Sequence, residues 1–218
     1  MTVSTLVDND VVIKLAQMDA YADVMNCIGA EQGSIGSLKP MLRYMGIADA
    51  RRRAKLTKSQ AEADRLSEVL YTIVELEMTD EEARVSAAVM KQVLEAGHDI
   101  QQGELALMVV ATCRGGLDVC TGDKRALRSI PLLEKLWSEV GVLRGMFICL
   151  EQLFMRLCGV KGLGRVRTAV LTAPDADITV TFVYRQTSIG GDEAFKKGMR
   201  LVIEEHIQGP APGWLKSL

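Results

Sequence analysis

The chain is poor in the residues from which many functional sites are built. Two histidines, His98 and His206, occur in 218 residues, which leaves a zinc site little to work with. The five cysteines, Cys27, Cys113, Cys120, Cys149 and Cys158, are odd in number, scattered and free of any CxxC pair. Most lie in apolar runs and read as buried, reduced thiols. Aromatic residues make up 5% of the chain, and Trp137 and Trp214 stand too far apart to suggest a platform for stacked bases. No apolar run approaches the roughly 20 residues of a membrane-spanning helix. The opening MTVSTLVDND carries neither a basic nor an apolar signal region. A cytoplasmic protein with no membrane partner is therefore the expectation. Net charge is -2 and the sequence pI about 5.8, so overall charge attracts no polyanion. A nucleic-acid substrate would need a local basic patch or a bound cation. VKGLGRVR has a Gly-x-x-Gly look but lacks the context and the Lys-Ser/Thr ending of a phosphate-binding loop, and reads as a turn.

What is present is an ordinary globular composition, 48% hydrophobic and 25% charged. A chain of this length buries roughly 70% of the surface its unfolded form exposes, so it needs no staples. Mean hydropathy is +0.13, slightly apolar for a monomer, and points to a buried interface such as a homodimer.

Patterning suggests alternating strands and helices. VSTLV (residues 3–7) reads as a buried strand ending at Asp8, Asn9 and Asp10. VVIKLAQMDAYADVMNCIG has helical spacing closed by Gly29, and EQGSIGSLKP reads as a loop. PMLRYMGIADARRRAKL is helical with a break near Gly46, and Ser59 to Leu76 is amphipathic helix. Thr79 with Glu82 three residues on matches a capping box for the helix that follows. GELALMVVATCRGG is another helix, and LDVCTGDKRAL begins as a strand ending at Thr121-Gly122-Asp123. GMFICLEQLF reads as a strand running into a helix. With no hairpin turns between these strands, a mainly parallel sheet with helices on both faces follows, a three-layer α/β/α sandwich. RVRTAVLT and DITVTFVYR, joined by APDA, read instead as an antiparallel β-hairpin. A final helix and the tail QGPAPGWLKSL complete the chain. The expected organisation is one domain over residues 1–155, with a β-hairpin-plus-helix extension over 156–218 packed on it.

In a parallel α/β sheet, ligands bind beyond the carboxyl ends of the strands. Asp8 follows the first strand and Asp123 a later one, while Glu104 opens a helix after Gly103. Each alone has a bland reading: N-cap, first-turn charge or turn residue. Together they suggest a shared crevice in which carboxylates raise one another's pKa unless a cation neutralises them. Mg²⁺ or Mn²⁺ suits such oxygen ligands and can activate water against a phosphodiester.

At these residues the sequence resembles the PIN-domain family of metal-dependent nucleases. LVDNDVVIKLA resembles that family's first strand and helix, with Asp8 as leading acid and Asp10 beside it. GELALMVVA resembles the acid-opened helix, which gives Glu104 that role, and LDVCTGDKRAL the strand ending in Thr-x-Asp, with Asp123 as late acid. The resemblance spans roughly residues 3–150. It implies an α/β/α sandwich and catalysis by Asp8, Glu104 and Asp123. It also implies Mg²⁺ or Mn²⁺ on Asp8, Asp10, Glu104 and Asp123, and single-stranded RNA as substrate. Many small members are toxins of toxin–antitoxin pairs, which makes an antitoxin or other protein the expected partner. The chain departs from the family at one place. The family's middle Glu is absent from GSLKPMLRYMG; Glu31, Glu62 and Glu68 flank that stretch, and Glu82 serves the capping box. The alternative is a PIN-like scaffold without catalysis, acting in binding or regulation.

Cations near the acids are candidates for phosphate contacts. Lys124 and Arg125 follow Asp123, and Lys14 lies one turn beyond Asp10. The run Arg51, Arg52, Arg53, Lys55 and Lys58 fans around a helix and reads as a solvated surface, with a phosphate-contacting patch as the alternative.

Overall fold

The structure is a computed structural model and describes residues 2–30 and 33–218. Five short strands form one parallel sheet: β1 (Thr5–Val7), β2 (Ile35–Leu38), β3 (Val74–Leu76), β4 (Asp118–Thr121) and β5 (Phe147–Cys149). Their spatial order is β3-β2-β1-β4-β5. Parallel neighbours cannot be joined by tight turns, so helices carry the chain back each time. Helices α1 (Asn9–Gln17) and α2 (Tyr21–Cys27) link β1 to β2. Helices α3 (Lys39–Met45), α4 (Ala50–Leu56) and α5 (Gln60–Leu70) link β2 to β3. Helices α6 (Asp80–Glu95) and α7 (Gln102–Cys113) link β3 to β4, and α8 (Lys124–Leu136) leads towards β5. Four more follow: α9 (Leu150–Lys161), α10 (Leu163–Thr172), α11 (Ile178–Thr187) and α12 (Gly191–Ile203).

The alternation of side chains along a strand divides the core in two. Val7, Cys120 and Ile148 face a cluster built with α1, α2, α5 and α9 to α12. Leu6, Val119, Phe147 and Cys149 face a second cluster built with α6, α7 and α8. Helices thus cover both faces of the sheet, as the α/β/α expectation required. The capping box of Thr79 and Glu82 is present at the start of α6.

Several local expectations are corrected. EQGSIGSLKP contains β2, which pairs with the central strand β1; four residues with a glycine and a serine gave too little alternation to register as a strand. A Cβ at Gly36 would lie 2.8 Å from Leu76 Cδ1 and 2.9 Å from Val3 Cγ1, so a larger residue there would make those side chains shift. The single helix expected to run up to Gly29 is two, broken at Asp19, whose φ is 51°. The helix expected over Ser59 to Leu76 stops at Leu70 and gives way to β3. The terminal tail is docked: Trp214 is fully buried edge-on against Phe147, and Leu215 bridges to that same strand. Glu31 lies outside the described residues.

The largest correction is the β-hairpin. RVRTAVLT and DITVTFVYR form α10 and α11. Val166, Ala169 and Val170 recur at helical spacing and bury in the cluster that also holds Val180 and Val183. The Asp177 side chain starts α11 by accepting the Val180 amide at 2.8 Å. Hydroxyls of Thr168, Thr172 and Thr187 bond back to carbonyls one turn earlier. The buried stripe outweighs the β-propensity of valine and threonine. The expected boundary between residues 155 and 156 falls inside α9, and residues on both sides of it share one core cluster.

Candidate functional site

The sheet changes direction of growth between β1 and β4, and these two strands are direct neighbours. At such a switch point the following helices diverge and leave a crevice at the carboxyl ends of the strands. Val7 pairs with Cys120, so Asp8 and the Thr121-Gly122-Asp123 turn leave the sheet side by side. The resulting cleft has a volume of about 500 Å³, and Asp8, Glu104 and Asp123 all line it.

Asp8 caps α1, accepting the Val11 amide at 2.9 Å on Oδ1. Its Oδ2 accepts the Thr121 hydroxyl and the Gly122 amide, the latter at 3.2 Å. The carboxyl is 4% exposed. Burial pushes its pKa up to about 6, against the pull of those three hydrogen bonds. A Cβ at Gly122 would overlap Asp10 Oδ2, so the glycine of the Thr-Gly-Asp turn keeps this corner open.

Glu104 opens α7 and closes a capping box by accepting the Gln101 amide at 3.1 Å. Burial pushes its pKa up to about 8, and a hydrogen bond shared with Asp123 and the nearby Asp8 charge act in the same direction. Asp123 caps α8 through the amides of Arg125 at 2.7 Å and Ala126 at 3.3 Å. Burial would raise its pKa, but Arg125, Glu104 and the two amides outweigh that and hold it at about 2. Glu104 and Asp123 thus face each other as a coupled pair, the proton affinity of Glu104 raised and that of Asp123 lowered.

The three predicted phosphate-contacting cations also line the cleft, and each is engaged by acids. Arg125 grips Asp123, with Nη2 at 2.7 Å from Oδ2. Lys14 lies 2.7 Å from half-exposed Asp10 and 3.0 Å from buried Asp177. Burial works against the Lys14 ammonium, but the two carboxylates hold its pKa above the usual lysine range. Lys124 lies 2.5 Å from buried Glu151 and donates to Thr179 Oγ1 at 3.2 Å. The arginine run sits elsewhere, on α4, where Arg53 bonds the Gly46 carbonyl at 2.5 Å and Arg52 that of Arg43 at 3.3 Å.

Sequence reasoning missed Asn9, Glu151, Asp177 and Thr179. Asn9 lines the cleft, and its buried Oδ1 has no hydrogen-bond donor among the described residues. Glu151 carried a readable signal, because it follows the buried β5 much as Asp8 follows β1. Asp177 and Thr179 carried none, because their segment was read as a strand. The stretch GSLKPMLRYMG forms β2 and α3, and Met41 of α3 lines the cleft. Cys120 and Cys149 lie buried beside the strand ends, and burial raises both thiols well above their usual range, so neither supplies a thiolate.

Among the described residues, no group of three or more His, Cys, Asp or Glu side chains is placed so that it could hold a metal ion. The chemistry of the donors nevertheless fits a hard divalent cation. It comprises carboxylate oxygens in excess, with burial and acidic neighbours raising the proton affinity of Glu104, and, among the described residues, a buried Asn9 amide oxygen without a hydrogen-bond partner. No helix is long and apolar enough to cross a membrane among the described residues. No protein-family model, no curated protein and no solved structure matches this chain.

Proposed function

We propose that this protein is a Mg²⁺- or Mn²⁺-dependent phosphodiester hydrolase acting on single-stranded RNA, built on a PIN-like plan. The observation that carries the reading is the meeting of Asp8, Glu104 and Asp123 in one open cleft at the switch point of the sheet. Asp8, Glu104 and Asp123 would hold the metal, with Asn9 and Asp10 beside them. When bound, the metal supplies charge neutralisation and an acidified water. The chain's own part is positional. Backbone amides and Thr121 fix Asp8 in one rotamer, while the helix caps at Asp123 and Glu104 fix theirs. Lys14 and Lys124 lie at hand for the non-bridging oxygens of a phosphodiester.

A second reading, a PIN-like scaffold that binds without catalysis, is favoured by Met41, which lines the cleft from the stretch where the family's middle Glu was expected and is absent. Incubation of a labelled single-stranded RNA with Mn²⁺ separates the two. Hydrolysis that EDTA stops supports the enzyme. Binding without cleavage at any Mn²⁺ concentration supports the scaffold and overturns the enzyme.

A further inference from the structure

The two lysines of the cleft are anchored by the last third of the chain. Lys14, on α1, meets Asp177 at the cap of α11. Lys124, at the start of α8, meets Glu151 in the first turn of α9 and Thr179 in the first turn of α11. Asp177 is 6% and Glu151 1% exposed, whereas both lysine side chains remain about a fifth exposed, at 21% and 22%. The acids lie beneath and the ammonium groups reach the open cleft.

These pairs are poor choices for stability alone. A buried carboxylate is tolerated when hydrogen bonds satisfy it. Among the described residues, neither carboxylate oxygen of Glu151 has a hydrogen-bond partner beyond the Lys124 ammonium that is its countercharge. An apolar residue of similar volume would hold α9 against the sheet with less desolvation cost. Asp177 divides its oxygens, Oδ1 capping α11 and Oδ2 facing Lys14, so one side chain fixes both the helix start and the lysine. An ammonium on a four-carbon stem loses much rotamer freedom when it binds a phosphate, and an acid that holds it in place beforehand reduces that loss.

We infer that Asp177, Glu151 and Thr179 are positioning residues that hold Lys14 and Lys124 at the mouth of the cleft to receive phosphates of a single-stranded nucleic acid. The inference rests on the reading of the cleft as a phosphodiester site. It gives α9 to α12 a role in substrate binding, since they supply the acids that aim the cations.

The test uses the full chain, a fluorescein-labelled single-stranded RNA and no divalent metal, so that binding is read apart from hydrolysis. Asp177→Asn keeps an N-cap acceptor of equal quality for the Val180 amide, and Glu151→Gln keeps shape while removing the charge. Glu151→Leu adds an apolar variant whose melting temperature is expected to equal or exceed the wild type. Each variant is expected to weaken binding about three- to tenfold and to lower the slope of log affinity against log salt by up to about one, the share of one phosphate contact. Wild-type affinity and slope in all three would overturn the inference and leave the hydrolase reading intact. Weakened binding in proportion to lost melting temperature, with an unchanged slope, would make the pairs mere structural ties and also overturn it. Weakened binding with a lowered slope in a chain that never cleaves RNA would support the inference and sink the hydrolase. Failure of the wild type to bind RNA would overturn both.

Discussion

The cleft has two unlike walls. One, built from the ends of β1 and β4 and the start of α7, carries Asp8, Asp123 and Glu104. The other, built from α3 after β2, presents Met41, and beyond it the surface turns apolar. A groove of about 710 Å³ between α3, α6 and α7, lined by Leu38, Met78, Met90 and Leu94, shares Met41 and Gly103 with the cleft. The acid wall is charged, hydrogen-bonded and rigid. The methionine wall is soft and adaptable. The contrast teaches that two strand ends and a helix start bring three acids to one wall, whereas α3 adds Met41 and no acid to the other.

Removing the acid wall should have the largest effect. Asp8→Asn or Asp123→Asn should lower RNA hydrolysis by at least about a hundredfold, the scale of losing one fixed electrostatic partner of the transition state. Asparagine caps a helix about as well as aspartate, so the melting temperature should hold within a few degrees. Hydrolysis at the wild-type rate in both variants would end the assignment. Met41→Glu tests the other wall by adding the missing carboxylate. It should tighten Mn²⁺ binding about tenfold, a change of about 1.4 kcal/mol, and unchanged affinity would show that α3 does not border the ion. Arg125→Gln removes the cation that grips Asp123. Mn²⁺ binding should tighten by a few-fold, while the salt slope of RNA binding falls by about one; looser Mn²⁺ binding would show that Arg125 assists the site.

The smallest effect is on stability against pH. Asp8 and Glu104 are raised in the fold, from 3.8 to about 6 and from 4.5 to about 8. A raised carboxyl contributes stability that is complete below its unfolded pKa and is lost as pH climbs through the folded value. The fold should therefore lose stability across roughly pH 4 to 8, and a cation held by the acids should offset the loss. The melting-temperature gain on adding Mn²⁺ should grow from pH 5 to pH 8, and Glu104→Gln should flatten that trend. A gain independent of pH would place the ion elsewhere.

The acid wall was legible in the sequence because each acid sits where a buried apolar run ends or a helix begins, at LVD, GEL and CTGD. Strand ends and helix caps are local signals. The parallel sheet was legible through the absence of hairpin turns. Asp177 and Thr179, which hold Lys14 and Lys124, were not, because they depend on contacts across 163 positions between Lys14 and Asp177, and 55 between Lys124 and Thr179. Misreading α10 and α11 as strands hid them further. DITVTFVYR alternates β-branched residues well enough to mimic a strand, and only the cap at Asp177 and the buried cluster around Val180 and Val183 decide for a helix. β2 was lost for the opposite reason, since Ile35-Gly36-Ser37-Leu38 is buried along its whole length by tertiary packing that its composition does not announce.

The central claim is that Asp8, Glu104 and Asp123 together hold a divalent cation. Titration calorimetry of Mn²⁺ into the wild type and into Asp8→Asn and Asp123→Asn tests it most directly. The account predicts saturable binding of about one to two ions in the wild type, lost or strongly weakened in both variants. Binding of equal affinity and stoichiometry in all three proteins, or none in the wild type, would contradict it.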